Sequence, residues 1–293
     1  MSLSIDIITR TKDRSLLLRR ALRSVAEQTF ADWRHIIVND AGAPASLEAL
    51  ASELAPEQRG RLKIIHNQNS LGMEAASNQA IRAGTNPLVT LLDDDDTWDS
   101  DFLATCVELL EKSPQIMGVV TQTMRVEEKV NSDHWVELNR FEMNPDLRSV
   151  TLAELLGTNL FCTNAFVFRR LAWERVGPYR EDLPVLGDWE FNIRFLRSFD
   201  VAVVPRPLAR YHTRNSGAAS NRNSVKAQRD RFHHYRAVIL NDYLRKDLDA
   251  GKVGLGILMA VADAAPAASR RNLFARAVSC GVRMTRRIRK RPF

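Results

Sequence analysis

Residues 87–99 read Pro-Leu-Val-Thr-Leu-Leu-Asp-Asp-Asp-Asp-Thr-Trp-Asp. The apolar run Leu88 to Leu92 is short, rich in Leu and Val, and opened by Asn86-Pro87, which predicts a buried strand. Four carboxylates then fall at its carboxyl end, where open α/β sheets bind their ligands. Adjacent like charges repel and call for full hydration or a cation. Carboxylate oxygens suit hard divalent ions such as Mg2+ or Mn2+. The competing reading is a solvated acidic turn that caps the next helix.

Working outward, strands and helices alternate on both sides of this run. Leu3, Ile5, Ile7 and Ile8 predict a first strand, followed by the polar turn Thr9 to Arg14. Leu17, Leu18, Ala21, Leu22 and Val25 recur at helical spacing from Ser15, with Arg19, Arg20 and Arg23 on the opposite face. Ile36 to Val38 and Leu62 to Ile65 predict two further strands, with helices at Leu47 to Leu54 and Met73 to Ala83. Another helix begins near Phe102. Such alternation argues for βαβ units and a mostly parallel sheet. Ligand-type residues follow successive strands: Thr9 and Arg10, Asn39 and Asp40, Asn67, and the acid run. There is neither a GxGxxG nor a Walker lysine loop, so no dinucleotide site or P-loop is expected.

The second half is more mixed. Gly118 to Val126, Ala165 to Phe168 and Val201 to Val204 predict strands, and Leu152 to Leu156 and Asp188 to Leu196 helices. Residues 127–148 read as an irregular polar insertion or hairpin, and Tyr211 to Ser216 as a polar loop. Val225 to Leu248 predicts a long polar helix.

The net charge of +7 misleads as an average. Residues 269–293 hold nine Lys or Arg and no acid, which leaves 33 basic against 35 acidic residues in the rest. The body therefore has no general affinity for polyanions, and nucleic acid is not a favoured partner. As a helix the tail gathers Leu273, Phe274, Ala277, Val278, Met284 and Ile288 on one face. Arg276, Arg283, Arg286, Arg287 and Lys290 share the other. Such a face suits an anionic membrane surface; a solvated tail and a nucleic-acid-binding arm are the competing readings. Three widely spaced cysteines, no signal-peptide pattern and no apolar stretch long enough to span a bilayer predict a cytoplasmic protein, peripheral on the membrane's inner face.

The motif order resembles the family-2 inverting glycosyltransferases of the GT-A fold over roughly residues 3–215. Ser24-Val25 with Gln28-Thr29 and Trp33 is similar to the end of that family's first helix. Val38-Asn-Asp-Ala-Gly42 resembles its VDDGS turn, and Asn67 with Leu71-Gly72 and Ala76-Ser77-Asn78 its N.G...ARN helix. Leu92-Asp-Asp-Asp-Asp-Thr-Trp98 matches LDxDDxW, which carries the DxD motif, and Gly187-Asp-Trp-Glu190 resembles the acceptor-side GDW. Two positions depart from the pattern: Asn39 stands where an acid is common and Ser77 where an arginine is common.

The resemblance implies an α/β GT-A domain over 1–218, with a nucleotide-sugar half near 1–125 and an acceptor half near 126–218. A helical extension (219–268) and the basic tail (269–293) would follow. It implies a metal-dependent enzyme that moves a sugar from a UDP- or dTDP-type donor to a hydroxyl of a glycan or lipid-linked glycan in surface polysaccharide synthesis. Thr9, Arg10 and Asp40 would border the nucleobase, with Asn67 nearby. Asp93 would meet the ribose or the metal's water shell, with Asp94 beside it although strand alternation turns Asp94 away. Asp95 would ligate Mn2+ or Mg2+, and Asp188 would be the general base, with Glu190 its competitor one helical step away. Three further candidates are weaker on their residue types: His212 as a phosphate or metal contact, Trp98 as a sugar platform, and Asn159 with Asn164 on the acceptor side. The rival classes are a nucleotidyltransferase, which should carry a glycine-rich phosphate loop that Thr9 to Arg14 lacks, and a non-catalytic binder acting through the tail.

Overall fold

Along β1 (Ile5–Thr11) and β4 (Leu88–Leu91) apolar side chains leave alternately toward two separate cores. Ile8, Val89 and Leu91 join one, and Ile5, Ile7 and Leu88 the other. That two-sided burial is why these strands read as near-continuous apolar runs. The computed structural model describes residues 3–130, 134–214 and 229–264; the predicted basic tail lies outside them.

The chain runs β1, α1 (Ser15–Ala26), β2 (Trp33–Asp40), α2 (Pro44–Ser52), α3 (Pro56–Arg59), β3 (Leu62–Asn67), α4 (Met73–Ala83), β4, β5 (Thr97–Trp98) and α5 (Phe102–Lys112). It continues through β6 (Gly118–Val130), β7 (Trp135–Glu142), α6 (Leu152–Gly157), β8 (Phe166–Arg169), α7 (Arg170–Val176), α8 (Gly187–Ser198) and β9 (Val201–Arg214). Two helices follow, α9 (Arg229–Asp249) and α10 (Leu255–Ala264). Among the described residues the strands form one sheet in the order β3-β2-β1-β4-β8-β6-β9-β5, with β7 paired to β6.

The first four strands are parallel, as expected. Beyond β4 the sheet is mixed: β8 is antiparallel to β4 and β6, β7 to β6, and β5 to β9, while β6 and β9 run parallel. Each ligand-type residue of the first half thus sits at a carboxyl end of the parallel half, and the β4 acids sit where the sheet changes character.

Of the two readings of 127–148 the hairpin holds for its first part: β6 and β7 pair antiparallel from Met124 with Glu142 to Val130 with Trp135, with a bulge between Glu127 and Glu128. Two local expectations need correction. The last strand does not stop at Val204: β9 pairs with β6 as far as Arg214, so Tyr211 to Arg214 are strand, not loop. Arg20 is on the buried side of α1, only 9% exposed. The polar residues of β9 read as a loop because their partners are charges 84 to 119 positions away, which local periodicity cannot register.

The helical extension shares the domain's core. Ile239, Tyr243 and Met259 join the cluster built on Phe168, Phe191 and Phe195, and the Arg236 guanidinium lies 4.6 Å over Trp189. Among the described residues no helix is long and apolar enough to cross a membrane.

Candidate active site

The acid turn divides by hydrogen bonding. Asp94 Oδ2 accepts from the Thr11 hydroxyl at 2.9 Å and Oδ1 from Arg14 at 2.6 Å. Asp96 accepts from the His212 N–H and the Asn164 amide, both at 2.9 Å. Both oxygens of each are taken, so Asp94 and Asp96 hold the turn together. Asp93 meets Arg10 at 2.7 Å through Oδ1, and Asp95 Oδ2 takes both Arg14 and Arg214. Among the described residues no donor reaches Asp93 Oδ2 or Asp95 Oδ1. Burial would raise the Asp95 carboxyl, but Arg14 and Arg214 hold it below the usual range.

Behind the turn lies a buried ion network. Glu128 accepts from Arg20 at 2.5 Å, Arg214 at 2.8 Å and His212 Nδ1 at 3.0 Å. Burial opposes its ionisation, yet these partners hold Glu128 far below the ordinary glutamate range. Arg20 also donates to the Asp95 carbonyl at 2.7 Å, so the network fixes both ends of Asp95. Its members are scattered at positions 14, 20, 128, 212 and 214, and of these the sequence reading singled out only His212, in a different role.

The expected nucleotide-side residues gather at the same edge, with their side chains already engaged. The Thr9 hydroxyl is fully buried between the Leu92 carbonyl and the His35 ring, each at 2.8 Å. Asp40 accepts from Asn67, Ser70 and the N–H groups of Leu71 and Gly72, at 2.7–3.1 Å. Burial alone would raise the Asp40 carboxyl; those four bonds outweigh it and depress it. Asp40 and Asn67 therefore shape the loop that leads into α4. The Arg10 guanidinium donates to the Ser77 hydroxyl at 3.0 Å and pairs with Asp93. A cation thus lies beside the helix position where the motif's arginine is missing.

Across the crevice, Leu186 takes a left-handed conformation (φ 65°) just before α8, a costly one for a branched residue. It turns the chain so that Asp188 opens the helix. Asn159 donates to Asp188 Oδ2 at 2.7 Å and the Thr163 hydroxyl at 3.3 Å. Burial raises the Asp188 carboxyl above its usual value, and a carboxylate so held can take a proton. Glu190 faces elsewhere: Arg194 binds both its oxygens at 2.8–3.0 Å and the Tyr243 hydroxyl donates at 3.0 Å.

Two weaker candidates need correction. Trp98 is 4% exposed, donates through Nε1 to the Asn164 carbonyl, and stacks on Phe102 at 4.6 Å between ring centroids; it is core rather than a sugar platform. His212 is 6% exposed on β9, with its ring between Thr97 and Glu128, so it is not an exposed loop histidine. One carboxylate was overlooked. Glu74, in the first turn of α4, is 7% exposed and pushed up to about 7 by burial, against the pull of Arg10.

Comparison with known proteins now decides the family. The model for glycosyl transferase family 2 matches residues 6–176, more than half of the chain. The chain belongs to glycosyl transferase family 2. A mycobacterial member of that enzyme class, the PGL/p-HBAD biosynthesis glycosyltransferase of Mycobacterium bovis, is 28% identical over 193 residues, covering 64% of this chain and 68% of the relative. Two solved glycosyltransferase structures share the fold. S. aureus TarS 1–349 with UDP-GlcNAc aligns with a TM-score of 0.63 at 16% identity, covering 83% of this chain and 67% of that one. The mannosyltransferase PcManGT of Pyrobaculum calidifontis, with GDP-Man and Mn2+, aligns at 0.61 and 18%, covering 96% and 81%. The domain is accordingly of GT-A type.

The donor set of this glycosyltransferase fits a divalent ion in one manner. Among the described residues no cluster of three His, Cys, Asp or Glu could hold a metal, and the turn offers two carboxylate oxygens. Mg2+ is commonly bound in that way, by one or two carboxylates with substrate phosphates and water completing the shell.

Proposed function

We propose that the chain is a metal-dependent inverting glycosyltransferase. It would move a sugar from a UDP- or dTDP-type nucleotide-sugar to a hydroxyl of a glycan or lipid-linked glycan in surface polysaccharide synthesis, with its basic tail serving as an address on an anionic membrane face. The observation that carries this reading is the pairing of two carboxylate sites across one crevice. Among the described residues no donor reaches one oxygen each of Asp93 and Asp95 at the end of β4, and Asp188 is held at the head of α8 by Asn159.

In the proposed reaction Asp188 accepts the proton of the acceptor hydroxyl as that oxygen attacks the anomeric carbon from the face opposite the diphosphate. The bond from the anomeric carbon to the diphosphate oxygen breaks, and the nucleoside diphosphate leaves. Asp93 and Asp95 would hold Mn2+ or Mg2+, and the ion, when bound, would offset charge on the leaving diphosphate. Arg10 adds a fixed positive charge on the same side. Asp40 and Asn67 support the nucleotide-side loop, and Asp94 keeps the acid turn in shape.

A charge exchange tests the donor end. Arg10→Ser is expected to weaken UDP or dTDP binding in the presence of Mn2+ roughly tenfold, the scale of one charge-assisted hydrogen bond. Adding Ser77→Arg, which returns the guanidinium from the helix side, should restore most of that loss in a calorimetric titration. If the wild-type protein binds neither nucleotide, the functional reading fails. If Arg10→Ser binds as tightly as wild type, Arg10 does not face the diphosphate.

A further inference from the structure

Glu74 has no use in the reaction just described. Among the described residues no hydrogen-bond donor reaches its carboxylate, although the residue is 93% buried. The opposite charge that acts on it is Arg10, whose guanidinium is bonded to Asp93 and Ser77. Asp93, Asp188 and Glu190 surround it with like charge. An acid in a first helical turn is ordinarily explained as a cap, but a cap accepts backbone N–H bonds and Glu74 accepts none.

The chain makes room for this carboxylate. A Cβ on Gly187 would lie 2.4 Å from Glu74 Oε1 and 2.5 Å from Cδ. Any larger residue there, one before Asp188, would push the Glu74 side chain out of this place. A largely buried carboxylate without a protein donor is costly, and the Glu74 oxygens are not sealed off from solvent, so a ligand can reach and complete them. Its charged neighbours locate it within the reaction. Arg10 and Asp93 stand on the diphosphate side, and Asp188 on the side of the attacking hydroxyl. The transferred sugar must lie between those two ends.

We propose that Glu74 is the specificity residue for the transferred sugar, accepting a hydrogen bond from one of its ring hydroxyls. With Asp93 and Asp188 it makes this part of the crevice negative, which admits neutral hexoses and turns away uronic acids. The inference rests on the nucleotide-sugar reading above.

The test compares Kd for a sugar donor with Kd for its bare nucleoside diphosphate, in full-length protein with Mn2+. UDP-GlcNAc, UDP-glucose, UDP-galactose, dTDP-rhamnose, GDP-mannose and UDP-glucuronate are titrated first, and the tightest binder is carried forward. The wild type is expected to prefer a neutral sugar to UDP-glucuronate. Glu74→Gln, which keeps the shape, should weaken the chosen donor about 10- to 100-fold, the factor for a hydrogen bond to a charged group. Binding of the matching nucleoside diphosphate should change less than twofold, and rejection of UDP-glucuronate should relax. Gly187→Ala, which displaces the carboxylate from the opposite side, should reproduce the sugar-specific loss. Equal weakening of donor and diphosphate, or no weakening of either, overturns the role of Glu74. Absence of any nucleotide binding by wild type overturns the functional reading along with it.

Discussion

Asp188→Asn is expected to lower kcat by about 10²- to 10⁴-fold, the range for loss of a positioned general base, with donor Kd changed less than twofold. Asparagine fills the same space and can keep the Asn159 and Thr163 contacts after an amide flip, so the loss should appear in the rate rather than in binding. The pH profile carries a second signature. A base must be ionised, and burial raises the Asp188 carboxyl above the ordinary aspartate value. Activity should therefore fall as pH drops through that raised value, and this acid limb should disappear from the residual activity of the variant. Glu190→Gln is the control. Its partners are Arg194 and Tyr243, so its effect should appear in the melting temperature, with kcat within a few-fold of wild type. Steady-state rates at saturating donor measure both. A near-normal kcat in Asp188→Asn, or a collapse confined to Glu190→Gln, would reverse the assignment.

Glu128→Ala is expected to cost about 3–5 kcal/mol of stability, the usual penalty for removing one partner of a buried ion network. Glu128 is 2% exposed and Arg214 is 1% exposed, so the alanine variant leaves the buried guanidinium groups of Arg20 and Arg214 with a positive excess. For a domain of this size that corresponds to a fall in melting temperature of roughly 10 °C. Replacing Arg20, Glu128 and Arg214 together by Met, Leu and Met should cost far less, because no buried charge is stranded. Yet that triple variant should still lose activity, since Asp95 would no longer be held by Arg20 at its carbonyl and Arg214 at its carboxylate. Urea denaturation followed by rate measurement separates the two effects. Equal destabilisation of the single and triple variants would mean that side-chain volume, not charge balance, dominates here.

The parallel half of the sheet was legible because each of its elements is local. The apolar period of α1 and the short runs of β2, β3 and β4 fix their type within a dozen residues, and the order of motifs after those strands assembled one crevice edge. Beyond Leu92 the decisive partners are distant. Nothing in the spacing of Arg14, Arg20, Glu128 and Arg214 signals that they meet, so Arg20 read as a surface charge and Tyr211 to Arg214 as a loop. The four acids were separable only in part. Alternation turned Asp94 away from the ligand side, but the bond from the His212 N–H that occupies Asp96 comes from 116 positions away. Glu74 escaped notice because an acid in a first helical turn is ordinary; its lack of a donor among the described residues and its contact with Gly187 exist only in three dimensions.

The central claim is that the end of β4 receives a nucleotide-sugar through a divalent ion. It is tested most directly by titrating nucleotide-sugars into the full-length protein with Mn2+ present and again after chelation. The account predicts that at least one donor binds about tenfold or more tightly with Mn2+, and that Asp95→Asn abolishes this difference while leaving the fold intact. A donor affinity indifferent to Mn2+ in the wild-type protein, or a metal effect that survives in Asp95→Asn, would contradict it.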